Sequence, residues 1–375
     1  MATNLVEVPL GRNRLGTRRT LDVHRFGEPG ARPKTYIQAG LHANEIPPML
    51  VAHHLVRRLA EADARGLIAG EIVVVPVANP IGFDQVHLGE LIGRFALDGS
   101  GNFNRDFPDL TQAAADLVRG RLGPDARANV DVVRKALVQA LAALTPRTPV
   151  DALRHALLGL AVDADIVLDL HCDGESVMHL YTGAELWPDA ADLAAEVGAR
   201  AVLLADVSGG DPFDEACSSV WWKLRTHLGE HHPIPAACLA ATMEYRGRTD
   251  VEPALGPDDA DRMFRFLQRR GVIAGDPGPL PAVECDATPL AGVERLVAHA
   301  PGIVVYHRQP GDRVVPGDLV AELVEPGHAV VPMRAGPAGL FYARMPVRLA
   351  APGDVIGSIA GPNPLTGREG HLLED

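Results

Sequence analysis

The chain has 375 residues, 47% of them hydrophobic and 22% charged, with a formal net charge of −13. That is the composition of a globular protein with room for a large core and a smaller second unit. The acidity argues against nucleic-acid phosphates as a partner. No window reaches the ~18 uninterrupted apolar residues of a membrane helix. The N-terminal stretch MATNLVEVPLGRNRLGTRR lacks an apolar segment followed by a small-residue cleavage site. No membrane partner and a cytoplasmic location are therefore expected. Cys172, Cys217, Cys238 and Cys285 are widely spaced with no CxxC pair, the pattern of neither a disulfide framework nor a metal–thiolate site.

In chain order, residues 1–30 read as a β-rich lead-in, with LDVHRFG as one strand. KTYIQAGLH reads as a strand and IPPMLVAHHLVRRLAEADARG as a helix, with Pro47 and Pro48 in a first turn that tolerates proline. EIVVVPVAN is a continuous apolar strand, the signature of burial on both faces. NPIGFDQ is a loop by its Asn-Pro and Gly. Residues 110–160 are Ala/Leu/Val-rich with helical periodicity. DIVLDLHC, ARAVLLADV and AACLAATMEYRG are further strands, and GPDDADRMFRFLQRRGV is a helix. Strands alternating with helices predict an α/β fold with a largely parallel sheet flanked by helices. The Pro/Gly-rich AGDPGPLPAVECDATPLAG reads as a linker. Beyond it, short strands split by Pro-Gly and Gly-Asp turns predict a small all-β, barrel-like domain. Its PGDRVVPGDLVAELVEP resembles lipoyl/biotinyl carrier barrels. The modified lysine of those carriers is missing, so a structural relative is expected rather than a carrier. The expected division is a catalytic domain over 1–275, a linker over 276–290 and the β domain over 291–375.

His42 and Glu45 stand three residues apart where a strand gives way to a helix, so both can reach one point. Zinc accepts a histidine nitrogen and a carboxylate, and a catalytic zinc normally has three protein ligands. His171, at the end of another apolar strand, is the candidate third, because sites in open α/β sheets form beyond the carboxyl ends of strands. Asp169 lies two residues earlier on the same strand face, placed to orient it. A His-x-x-Glu pair also arises by chance among 15 histidines. His53, His54, His227, His231 and His232 read as surface or satisfied core residues.

GLHANE, then NFNRDFP, then DLHCDGES, then a late glutamate resemble the succinylglutamate desuccinylase/aspartoacylase family of the zinc carboxypeptidase superfamily. The resemblance spans roughly residues 30–270, and the β module after it fits that family's appended domain. It implies a zinc-carboxypeptidase-like mixed sheet and one Zn2+ per chain held by His42, Glu45 and His171. It implies that Asn104 and Arg105 hold a substrate carboxylate and that Glu244 is the general base. A guanidinium that forks onto a carboxylate suits Arg105 independently; a surface ion pair with Asp106 or Asp109 is the plainer alternative. The family's carbonyl-polarising arginine corresponds to Arg94, across a gap that is longer here. Arg246 and Arg248 beside Glu244 either contact substrate or pair with Asp250.

The reaction implied is hydrolysis of the amide of a small N-acyl amino acid or related N-acyl amine. Metal-activated water attacks the amide, with Glu244 as base and then acid. A carboxypeptidase acting on peptides and a non-catalytic small-molecule-binding relative are the alternatives. Every proposed catalytic position is filled, which counts against the second. The insert at 110–160 departs from the minimal family pattern and is expected to bear on access to the site. The β domain is a candidate cap or homo-oligomer surface.

Overall fold

A computed structural model describes residues 4–11, 15–229, 231–368, 370 and 372–373. Its centre is a nine-stranded mixed sheet. In chain order the strands are β1 (Leu5–Pro9), β2 (Thr20–Phe26), β3 (Lys34–Ala39), β4 (Glu71–Val75), β5 (Ile166–Asp173), β6 (His179–Thr182), β7 (Ala201–Leu204), β8 (Leu239–Gly247) and β9 (Ala287–Pro289). Across the sheet the order is β1-β2-β4-β3-β5-β8-β6-β7-β9. The inner run β4-β3-β5-β8 is parallel; β2 joins β4, and β6 joins β8, antiparallel. β3 and β4 are buried along their whole length; Ile72–Val75 of β4 is an unbroken apolar run, as burial on both faces requires, while β3 also buries Lys34, Thr35 and Gln38.

Helices cover both faces. One face carries α1 (Pro47–Ala64), α5 (Ala191–Val197) and α7 (Leu255–Arg269). The other carries α2 (Thr111–Val118), α3 (Ala126–Ala142), α4 (Pro149–Ala161) and α6 (Phe213–Leu228). The 110–160 insert is therefore a structural layer: Val133, Leu137, Leu153 and Leu157 are fully buried in the same cluster as Trp221 of α6. α4 starts on a reciprocal capping box between Thr148 and Asp151. His227 sits in the last turn of α6.

From Val293 on, strands form two antiparallel sheets of the C-terminal region, one of which pairs with Glu175–Ser176 of the main body. Glu175 also binds Arg344 (2.7 Å) and Arg348, and both guanidiniums stack 4.9 Å from the Tyr306 ring. Among the described residues no helix is long and apolar enough to cross a membrane. The four cysteines are free.

Candidate active site

β3 and β5 are neighbours, so their carboxyl ends bring the His42/Glu45 junction and His171 together. The ligand atoms of His42, Glu45 and His171 all lie within 4.8 Å of one another, the one such group of three among the described residues. All three side chains are buried. His42 Nδ1 is 3.0 Å from Glu45 Oε1, and His171 Nδ1 is 2.8 Å from Glu45 Oε2. The Cys172 backbone N–H also donates to Oε2 (3.2 Å).

The far side of each imidazole decides what its near side offers. His42 Nε2 lies 2.8 Å from Asn102 Oδ1, and that same oxygen accepts the Asn104 backbone N–H at 2.9 Å. The backbone donor fixes the amide orientation, so Nε2 carries the hydrogen and Nδ1 a lone pair. His171 Nε2 lies 3.0 Å from Asp169 Oδ2, with the same consequence. Asp169 is itself held by Gln38 Nε2 (2.9 Å), and Gln38 accepts from the Tyr36 hydroxyl (2.9 Å). Two ring lone pairs and a carboxylate thus face one point. They repel unless a proton or a metal ion lies between them, and N,N,O donation is the ligand set of a catalytic zinc. The residues present fit a divalent metal.

Charges within the cluster follow from this crowding. Burial, then the neighbouring Arg94, pushes His42 down to about 4. Burial alone would raise Glu45, but the two imidazoles hold it well below the usual carboxylate range. His171 is raised well above the usual imidazole value: against burial, Asp169 and then Glu45 favour its charged form.

Glu244 ends the regular pairing of β8 with β5, directly beside His171 in register. Burial and then the Glu45 charge push its carboxyl well above the usual range. Its Oε2 is buried with no hydrogen-bond partner. Arg94, from the turn region after β4, places Nη1 3.3 Å from both His42 Nδ1 and Glu45 Oε1. Asn104 is locked by the Phe213 N–H, which donates to its Oδ1 (2.9 Å). Arg105 is buried, with Nη1 donating to the Asn104 carbonyl (2.8 Å), so the surface pairing considered from sequence does not describe it. Left-handed backbone at Asp106, Asp211 and Arg246, none of them glycine, flanks these residues. Such strain clusters at functional sites.

These side chains line one cavity of about 150 Å³, together with Asp173, Thr182, Thr242 and Arg248. Sequence reasoning missed Asn102, Asp214, Glu215, Tyr181 and Arg295. Asn102 sits inside the quoted NFNR stretch and carried a signal only by proximity. Asp214 and Glu215, in the first turn of α6, had none. Arg295, in the strand Val293–Val297, brings the C-terminal region to the cavity wall.

The catalytic-domain model of the succinylglutamate desuccinylase/aspartoacylase family matches residues 31–137. No curated protein matches the sequence. A succinylglutamate desuccinylase/aspartoacylase family protein from Shewanella amazonensis superposes with a TM-score of 0.83 at 26% identity, over 95% of this chain and 98% of its own. A family protein from Shewanella frigidimarina superposes at 0.80 with 23% identity, over 96% and 98%. The product-bound ectoine utilisation protein EutE from Ruegeria pomeroyi shares the fold at 0.66 with 17% identity, over 96% and 100%. The chain thus carries the catalytic-domain signature of the succinylglutamate desuccinylase/aspartoacylase family over residues 31–137, and the fold of that family's solved members over nearly its whole length.

Proposed function

We propose that the protein is a zinc-dependent amidohydrolase that removes the acyl group from a small N-acyl amino acid or related N-acyl amine. The observation that carries this is one convergence. Three metal-type donors lie within 4.8 Å of one another, beside the unpartnered Oε2 of Glu244, in a small cavity. A cavity of about 150 Å³ suits a small molecule better than a peptide in an open groove.

His42, Glu45 and His171 would hold the zinc, one per chain. When bound, zinc supplies Lewis acidity and lowers the pKa of water to about 7. Glu244 is the general base: its free Oε2 takes the proton of the attacking water and returns it to the leaving nitrogen. Arg94, already a donor towards Glu45, supplies a cation to the oxygen that gains charge at the amide carbon. Arg105 and Asn104 hold the substrate carboxylate. The lock on Asn104 Oδ1 turns its NH2 towards the cluster, where the nitrogen lies 3.4 Å from His171 Nε2, and that NH2 is the group offered to a ligand. The products are a carboxylic acid and a free amine.

The catalytic unit is assigned to residues 1–275 and the β domain to 291–375; the stretch expected as a linker, 276–290, is not linker throughout, because Ala287–Pro289 adds β9 to the edge of the main sheet. The net charge of −13 supports a small-molecule substrate, with the cytoplasm as the proposed location and a homo-oligomer as the proposed assembly.

Elemental analysis of purified wild type and His171→Ala is the test, followed by a panel of N-acetyl and N-succinyl amino acids against dipeptides. One zinc per wild-type chain, lost in the variant, with cleavage of the N-acyl compounds, is the expected result. Cleavage of dipeptides alone would replace the proposal with a peptidase. No metal and no hydrolysis would leave a binding protein.

A further inference from the structure

Glu244 is followed by an irregularity in its strand. β8 and β5 pair residue for residue from Leu239 with Ile166 to Glu244 with His171. The next pair is Gly247 with Asp173, so three steps on β8 match two on β5. The extra residue makes a bulge, and Arg246 within it has φ +61°. A bulge beside a site re-aims side chains.

The consequence concerns a positive charge. In an unbroken strand residues i and i+2 share a face, so Arg246 would project beside Glu244. Instead Glu244 and Arg248 line the cavity, and Arg246 lines a separate groove with Met178 and Arg262. There its guanidinium forks onto Asp259 of α7: Nη1 donates to Oδ1 at 3.2 Å and Nη2 donates to Oδ2. Asp259 is buried. The Arg246 carbonyl accepts from Ser176 Oγ (3.0 Å), and the Arg248 N–H donates to the Gly174 carbonyl (3.1 Å). The first two contacts hold Arg246 itself, by side chain and by carbonyl, and the third ties the strand two residues beyond it.

We propose that the Arg246–Asp259 pair is a positioning device for Glu244. It holds the bulge in its left-handed form, aims the Glu244 carboxylate at the metal-type cluster and keeps a competing guanidinium out of the cavity. The pair touches no reacting atom and acts through the backbone of β8. This rests on the reading of Glu244 as the base.

Asp259→Ala and Asp259→Asn are compared with wild type by kcat and KM on an N-acetyl amino acid that wild type cleaves, by zinc per chain, and by crystal structure. Misplacing a reacting group by about 1 Å costs on the order of 100-fold in rate. In Asp259→Ala, kcat is expected to fall by roughly 10- to 100-fold, with KM and zinc content unchanged and the Glu244 carboxylate displaced in the crystal. Asp259→Asn, which keeps one acceptor, is expected to fall between it and wild type. An unmoved Glu244, an unchanged kcat, or a loss confined to KM or zinc overturns the proposal. If Asp259→Ala does not fold, Arg246→Gly, which tolerates left-handed backbone but breaks the pair, is read by the same outcomes. If wild type cleaves nothing, the hydrolase reading fails, while the crystal comparison still decides whether the pair places Glu244.

Discussion

Asn102 holds the back of His42: its Oδ1 lies 2.8 Å from the imidazole Nε2. The Asn102 carbonyl in turn accepts from Arg154 Nη2 of α4 (2.9 Å). The helical insert thus reaches the candidate metal cluster through one side chain. Partners of this kind set ring orientation, and losing one costs about 10- to 100-fold in metal affinity. Asn102→Ala is expected to weaken zinc binding by about that factor, and Arg154→Met by less. Competition titration against a chelator measures both. Unchanged affinity in Asn102→Ala would show that His42 needs no such brace.

Glu244 and the ligand set are separable. Glu244→Gln keeps the shape and removes the base, so zinc content should equal that of wild type while kcat falls about 100-fold or more. Elemental analysis and steady-state kinetics on the same preparation check this. Loss of zinc in Glu244→Gln would make it a ligand instead.

Arg105 invites a conservative test. A lysine keeps the charge but cannot fork onto a carboxylate. Arg105→Lys should raise KM about 10-fold or more with kcat little changed, the mark of lost uniform binding. The effect should vanish for an N-acyl amine that lacks a carboxylate. An equal loss on both substrates would assign Arg105 to the architecture of the loop.

Stability should depend on pH through Asp214 and Glu215. Burial and then the Asp169 charge push Asp214 up to about 6; burial and then Asp214 push Glu215 up to about 7. A carboxyl raised on folding binds its proton more tightly in the folded state. From roughly pH 4, where unfolded carboxyls begin to ionise, to about 7 the folded state holds more protons, so stability falls as pH rises. Below that window both states are protonated and the contribution is complete. Melting temperatures of the chelated protein from pH 4 to 8 should decline, and the decline should flatten in Asp214→Asn/Glu215→Gln. An identical slope in the double variant would rule these two groups out.

The insert is load-carrying for the fold as well as the site. Leu157 of α4 is fully buried in the cluster that includes Trp221. Leu157→Ala should destabilise by about 2–5 kcal/mol, measured by urea denaturation. A change under about 1 kcal/mol would mean that α4 packs loosely.

Local chemistry made much of this legible. Apolar runs such as EIVVV can be satisfied only between two helical layers, so β4 and its neighbours could be read directly. Helix periodicity announced α3 and α4, and the turn-rich C-terminal stretch announced antiparallel strands. His42 and Glu45 are near in sequence, and a three-residue spacing is itself a geometry. The 126 residues from Glu45 to His171 are bridged by strand order, which no local pattern encodes; the place of His171 at the carboxyl end of an apolar strand and the family motifs made it a candidate. Tertiary structure alone decided the rest. It made the insert a core layer and put Asn102 and Arg154 behind His42. It also turned Arg246 away from Glu244 onto Asp259, 13 residues further along the chain. Such contacts depend on which elements lie side by side and on a one-residue bulge. They arise from the packing of the whole chain, whereas periodicity and capping arise within a few residues of each other.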